Sequence, residues 1–120
     1  MGDRVFVELN SQDFTTPVVI YSHWAGESIL GAVTKVLGMS SRVGDANYLA
    51  AQIINSVFKE CYYDGELGFG IAAWDSTTAS DAYDWADNPT VFVDLDKGYY
   101  WVGDSDITYD RFGNPINAIA

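Results

Sequence analysis

Two helical stripes, one directly after the other, are the feature that most limits how this chain can fold. Apolar residues recur with helical spacing over residues 29–37 and again over residues 49–61. Asp45 precedes the second stripe and is suited to cap the N-terminus of a helix. An amphipathic helix must bury its stripe against another layer, so two short helices in tandem require a sheet to pack against.

Segments typical of β-strands flank the two stripes. Residues 4–9 alternate between apolar and polar positions, and a β-branched run follows Pro17. Further strands are predicted at residues 69–75, 90–95 and Tyr99–Val102, with a short edge strand at 107–109 as an option. We therefore predict one α+β domain spanning residues 1–120. Its sheet is mainly antiparallel with about five strands, two helices lie on one face, and the order is β-β-α-α-β-β-β.

A polar segment at residues 76–89 is predicted to be a long loop, and its length makes it a candidate for function. Three aspartates at three-residue spacing alternate there with two large aromatic residues, and one helical turn over residues 81–86 would place the carboxylates on one side. Aromatic anchors beside acidic groups are typical of a protein interface. Two more aspartates alternate onto the face of the strand that follows. The predicted partner-binding residues are Asp81, Tyr83, Asp84, Trp85, Asp87, Asp94 and Asp96.

The charge is concentrated in the second half of the chain. The chain has 17 acidic and 6 basic residues, for a net charge of −11, and residues 60–120 alone hold twelve acidic and two basic residues. Direct binding to nucleic acid requires clustered Lys and Arg, so the sequence argues against it. A basic protein is the partner that this charge favours, and solubility alone is the alternative explanation.

A second cluster lies where a predicted strand leads into the first helix. His23 can act as an acid or a base near neutral pH, and a helix N-terminus offers free N–H groups to a small ligand. The alternative is that His23 hydrogen-bonds to the backbone and that Trp24 covers the edge of the core. The residues of this possible ligand site are Tyr21, His23, Trp24 and Glu27.

The remaining residues argue against several kinds of chemistry. The chain has one histidine and one cysteine, Cys61, which leaves no His/Cys metal site and no internal disulfide and fits a reducing cytosol. Ser22 and His23 are adjacent in a strand and point to opposite faces, so they form no catalytic pair. Small residues at 70, 72 and 73 permit close approach of a helix or a ligand. We predict no catalytic residue, metal or cofactor, and no segment long enough to span a bilayer.

Residues 21–26 (Tyr-Ser-His-Trp-Ala-Gly) resemble a motif of small phage-associated proteins, in which Tyr and Ser or Thr are followed by His-Trp-Gly-Gly. Weaker similarity continues at residues 45–50, 68–71 and 91–94. Ala25 stands where the first glycine of the motif is usual, and alanine disfavours a positive φ. The resemblance implies a phage origin and does not by itself imply a mechanism.

Small acidic phage-associated proteins without catalytic motifs are often inhibitors of host machinery, and several anti-CRISPR proteins imitate the charge of DNA. On this resemblance we predict a binding protein that inhibits a basic, nucleic-acid-handling partner in the host cytoplasm, and we leave open whether it is an enzyme. Two alternatives stay open. One is a small-ligand- or nucleotide-binding protein, or a weak enzyme, built around Tyr21, His23 and Trp24, and the other is a structural virion component.

Overall fold

The computed structural model describes residues 3–26, 28–61, 68–74 and 76–116. Over these residues, strands and helices follow in the order β-β-α-α-β-α-β-β-β. The strands are β1 (Val5–Asn10), β2 (Val18–Ser22), β3 (Phe69–Ala73), β4 (Val91–Asp94), β5 (Tyr99–Val102) and β6 (Thr108–Tyr109). The helices are α1 (Ser28–Met39), α2 (Ala46–Glu60) and α3 (Ser76–Tyr83). The α+β class is confirmed.

All six strands form one sheet in the order β3-β2-β1-β4-β5-β6. The pairing of β1 with β4 is parallel, and the other neighbouring strands are antiparallel. The sheet is therefore mixed and mainly antiparallel, with six strands where about five were expected. The chain leaves β3 at one edge and re-enters the sheet beside β1, so α3 has to cross β2 and β1 on the way.

Helices α1 and α2 cover one face of the sheet, as their stripes predicted. Val5, Val7 and Leu9 alternate onto this face from β1 and are fully buried beneath the two helices. The apolar stripe of each helix is buried against them, and the Ser56 hydroxyl of α2 donates to the Ala32 carbonyl of α1 over 2.9 Å. This is the main core of the molecule.

The expectation of a long loop over residues 76–89 was wrong, because its first half is α3. The helix begins at Ser76 and ends at Tyr83, so the predicted turn at 81–86 was also misplaced. Ala82 is buried against Phe6 and Val19 on the second face of the sheet, and Ala79 is also buried. Ser, Thr and Asp residues favour turns when nothing packs on them. Burial of the two alanines stabilises the helical conformation of this segment instead.

Residues 111–116, which follow β6, are bonded to the rest of the fold. The Arg111 guanidinium donates to the carbonyl oxygens of Leu37 and Ser40 at the end of α1. The Ile116 N–H donates to the Thr108 carbonyl over 2.8 Å. The tight turn between β4 and β5 has Gly98 at a φ of 78°, a conformation that glycine adopts without strain. None of the helices in the described part of the chain is long and apolar enough to cross a membrane.

Candidate functional site

The second face of the sheet carries a cluster of aromatic rings around Phe6. Phe6 projects from β1, is fully buried, and lies 5.1 Å from the ring of Tyr21 and 5.1 Å from the ring of Tyr83. Trp74 and Trp85 are the other two aromatic neighbours, and their ring centroids lie 5.7 and 5.8 Å from the centroid of Phe6. Four aromatic side chains from three parts of the chain therefore share one buried centre.

This arrangement brings the two predicted sites together. The ring of Trp85, after α3, lies 6.5 Å from that of Tyr21 on β2. The Tyr21 hydroxyl is 2.8 Å from Nδ1 of His23, and His23 is near enough to Asp87 to help lower the pKa of its carboxyl. The predicted partner-binding surface and the predicted ligand site are therefore neighbours on one face of the molecule.

Asp87 is engaged within the fold. Its carboxylate accepts hydrogen bonds from the Arg4 backbone N–H over 2.9 Å and from Arg4 Nε over 3.3 Å. The backbone bond is the main reason that the pKa of Asp87 is lowered, and the Arg4 charge adds to it. The same guanidinium lies over the ring of Trp85, 5.4 Å from its centroid. Asp87 therefore positions Arg4 against Trp85.

Asp81 and Asp84 differ from Asp87 because both are exposed and neither makes an ion pair or hydrogen bond with another described residue. Trp85, which follows in sequence, is 51% exposed, although its ring contacts those of Phe6 and Tyr21. We call Asp81, Asp84 and Trp85 the α3 surface. It combines uncompensated negative charge with an oriented aromatic side chain.

Tyr83 faces inward and has a structural role. Its hydroxyl donates to Glu8 on β1 over 2.8 Å, and burial followed by this bond to Glu8 raises the pKa of the phenol. Its ring also contacts Phe92 edge-on at 6.1 Å. Tyr83 supports the α3 surface from beneath.

Asp94 and Asp96 belong to the turn that follows β4. Oδ1 of Asp94 accepts from the backbone N–H groups of Asp96 and Lys97 over 3.0 and 3.2 Å. The Asp96 carboxylate accepts from the Ser11 hydroxyl over 2.7 Å and from the Gln12 N–H over 2.8 Å. Asp94 closes the turn and Asp96 ties it to the loop after β1, so both carboxylates are engaged within the chain.

The His23 motif is held largely by backbone bonds. The His23 N–H donates to the Gly68 carbonyl over 2.8 Å, and the His23 carbonyl accepts from the Asp3 N–H over 2.9 Å. Its ring contacts Trp24 edge-on at 4.5 Å, and Trp24 is 39% exposed. Gly26 has a φ of 38°, and a side chain there would collide with the Asp3 carboxylate. Glu27, also predicted for this site, lies outside the described residues.

A cleft of about 300 Å³ opens between β3 and the segment that follows α3. Its floor includes Gly70 and Ala72, and Trp74 and Trp85 form part of its wall. The lining is almost wholly apolar, and its residues are Phe6, Val19, Tyr21, Gly70, Ile71, Ala72, Trp74 and Trp85. The small residues of β3 were expected to permit close approach of a ligand, whereas Trp74 was not predicted to belong to a site. The signal was the period-two alternation of residues 70, 72 and 74, which places all three on one face.

The described residues hold no group of three or more His, Cys, Asp or Glu side chains placed to bind a metal ion. Cys61 ends α2 and is buried, and this burial raises the pKa of its thiol. Comparison of the chain with known protein families, with curated proteins and with solved structures finds no match.

Proposed function

We propose that this protein is a phage-type binding protein that occupies a basic surface of a nucleic-acid-handling partner in the host cytoplasm and thereby inhibits it, as anti-CRISPR proteins that imitate DNA do. The observation that carries the proposal is the α3 surface. There, two exposed carboxylates with no partner among the described residues lie near in sequence to a half-exposed tryptophan that contacts Phe6 and Tyr21. The net charge of −11 supports the same kind of partner.

The two components of the α3 surface make different contributions to binding. Trp85 is held by Phe6 and Tyr21, so little side-chain freedom is lost when a partner covers it. Tryptophans in such positions are common hot spots of interfaces. Asp81 and Asp84 contribute attraction at long range, which acts mainly on the association rate.

Asp87, Asp94 and Asp96 take a different part in this proposal. Their carboxylates already accept hydrogen bonds within the chain. We therefore infer that these three residues contribute to the shape of the surface and to its electrostatic field. Direct ion pairs with the partner are assigned to Asp81 and Asp84, which have no partner among the described residues.

The test begins with capture of partners from a host lysate by the immobilised protein and their identification by mass spectrometry. Surface-plasmon kinetics at several salt concentrations then compare variants against the purified partner. The double variant Asp81→Asn/Asp84→Asn is expected to slow association and to flatten its salt dependence. Trp85→Ala is expected to speed dissociation, at a cost of about 2 kcal/mol in binding free energy.

A charge-matched control separates this surface from overall charge. Asp13→Asn/Asp104→Asn removes two exposed carboxylates elsewhere in the chain and changes the net charge by the same amount. The control is expected to leave the association rate almost unchanged at physiological salt, where screening limits charge interactions to roughly 8 Å. Equal slowing by both double variants would show that net charge alone matters and would reject the α3 surface as the interface.

A further inference from the structure

The cleft between β3 and the segment after α3 has unfilled space directly above its floor. Gly70 lies on the second face opposite Tyr21, and a Cβ atom added to it would meet nothing within 4 Å. The free space above Gly70 is therefore continuous with the cleft. Its volume of about 300 Å³ suits one long side chain, since it lies at the lower end of the roughly 300–1,000 Å³ typical of small-molecule sites.

We propose that this cleft is the anchor pocket of the α3 surface and takes the side chain of an arginine from the basic partner. This inference rests on the proposed function and deepens it by naming the group that is recognised. The methylene groups lie over Gly70 and Ala72, and the guanidinium stacks on the indole walls. Its positive charge is complementary to the net charge of −11 of the chain.

The lining of the cleft selects a cation with an apolar stem. Indole rings attract cations through their negative faces, and Trp74 and Trp85 place two of them at one cavity. The protein itself already positions a guanidinium in this way, with that of Arg4 lying 5.4 Å from the centre of the Trp85 ring. Arg4 is not among the residues that line the cleft.

Arginine fits better than lysine or an anion. Guanidinium is planar and weakly hydrated and stacks on aromatic rings, whereas an ammonium group is compact and strongly hydrated. An anion would meet an apolar lining in a chain whose net charge is −11. Charge complementarity and stacking on aromatic rings therefore both favour arginine as the occupant of the cleft.

The first test uses the unmodified full chain, so it needs no variant to fold. Nitrogen-labelled protein is titrated with N-acetylarginine methylamide and, separately, with the citrulline analogue, which has the same shape and no charge. The arginine probe is expected to shift the indole N–H signals of Trp74 and Trp85 and the Gly70 amide signal, with saturation in the millimolar range. Citrulline is expected to bind roughly fivefold more weakly, because it lacks the cation–π attraction.

The second test fills the cleft. Gly70→Val places two methyl groups in the open space and is expected to raise the dissociation constant for the arginine probe at least roughly tenfold. Gly31→Ala is the matched control, because a Cβ on this exposed residue of α1 also meets nothing within 4 Å. The control is expected to bind the probe like the unmodified protein.

Three outcomes would overturn the inference: equal binding of arginine and citrulline, shifts located away from Trp74 and Trp85, or no binding of either probe. Undiminished binding of the captured partner by Gly70→Val would also overturn it, while slower association of Asp81→Asn/Asp84→Asn would leave the proposed function standing. Failure of the proposed function has a different signature, namely normal binding of the arginine probe with no basic protein captured from the lysate.

Discussion

The Tyr83 hydroxyl donates a hydrogen bond to the Glu8 carboxylate over 2.8 Å, and this bond fastens the last residue of α3 to the middle of β1. The Tyr83 ring rests on the buried ring of Phe6 beside it. Trp85 follows two residues later, so the bond helps to set the height and direction of the α3 surface above the sheet. A group that no partner has to touch therefore contributes to the shape of the proposed interface.

Loss of this bond is expected to destabilise the protein. Tyr83→Phe leaves the half-buried Glu8 carboxylate without its donor, and a hydrogen bond to a charged group is worth about 2 kcal/mol. Urea denaturation followed by tryptophan fluorescence measures the change. Tyr48→Phe is the matched control, because Tyr48 is 58% exposed, and its free energy of unfolding is expected to change by less than about 0.5 kcal/mol. Equal effects of the two substitutions would contradict the assignment.

The same bond predicts how stability depends on alkaline pH. Burial, followed by the bond to Glu8, raises the pKa of Tyr83 in the folded state above its value in the unfolded chain. The unfolded chain releases this proton near pH 10 and the folded protein keeps it, so the contribution is complete below about pH 10 and declines above it. The stability difference between the unmodified protein and Tyr83→Phe is therefore expected to stay constant up to about pH 10 and to shrink as the pH rises from about 10 to 11. A constant difference would show that Tyr83 ionises normally.

The main core could be predicted from the sequence because its signals are local. The stripes over residues 29–37 and 49–61 mark α1 and α2, and the bounds of the strand Tyr99–Val102 are confirmed. Helix α3 could not be predicted in this way. Its apolar contact rests on two small alanines, Ala79 and Ala82, which are too small to stand out as a stripe in a polar segment.

The proximity of the two predicted sites depends on long-range topology. His23 ends up near Asp87 only because β2 and β4 lie on either side of β1 and α3 crosses the sheet between β3 and β4. Residue patterns along the chain carry no information on this order of strands. They also do not show that Asp94 and Asp96 accept hydrogen bonds from nearby backbone, because alternation places a side chain on a face without specifying its partners.

We expect His23 to support structure more than chemistry. His23→Ala removes the contact with the Tyr21 hydroxyl and the edge-on contact with Trp24, and leaves the backbone bonds to Asp3 and Gly68 in place. The melting temperature, measured by circular dichroism, is expected to fall by roughly 4 °C for a loss of about 1 kcal/mol. Partner binding by the folded fraction should persist. A variant with unchanged melting temperature and no binding would instead make His23 part of the site.

The Cys61 thiol is expected to be unreactive in the native protein. It is 7% exposed, and burial is the main reason that its pKa is raised, with the Glu60 charge adding to it. A thiol reacts as the thiolate, so both effects slow modification. Reaction with a disulfide reagent such as DTNB is expected to be at least roughly a hundredfold slower in buffer than in urea. Rapid labelling without denaturant would show that the end of α2 opens readily.

Direct binding to nucleic acid is not expected, and the structure strengthens the reason. Arg4, Lys35 and Arg42 are engaged in ion pairs with carboxylates of the same chain. Arg111 is committed to backbone carbonyl oxygens of α1, so few of the six basic groups are available to a phosphate.

A mobility-shift assay with a DNA and an RNA oligonucleotide tests this expectation at low salt, where attraction to phosphate is least screened. No shift is expected at micromolar protein. The aromatic cleft makes the assay informative, because bases can stack on tryptophan even without sequence preference. A shift that Gly70→Val abolishes and Gly31→Ala retains would therefore identify the cleft as a base-stacking site and reject arginine as its occupant. A shift unaffected by Gly70→Val would place the contact elsewhere, and the exposed Lys59 would be the first position to examine.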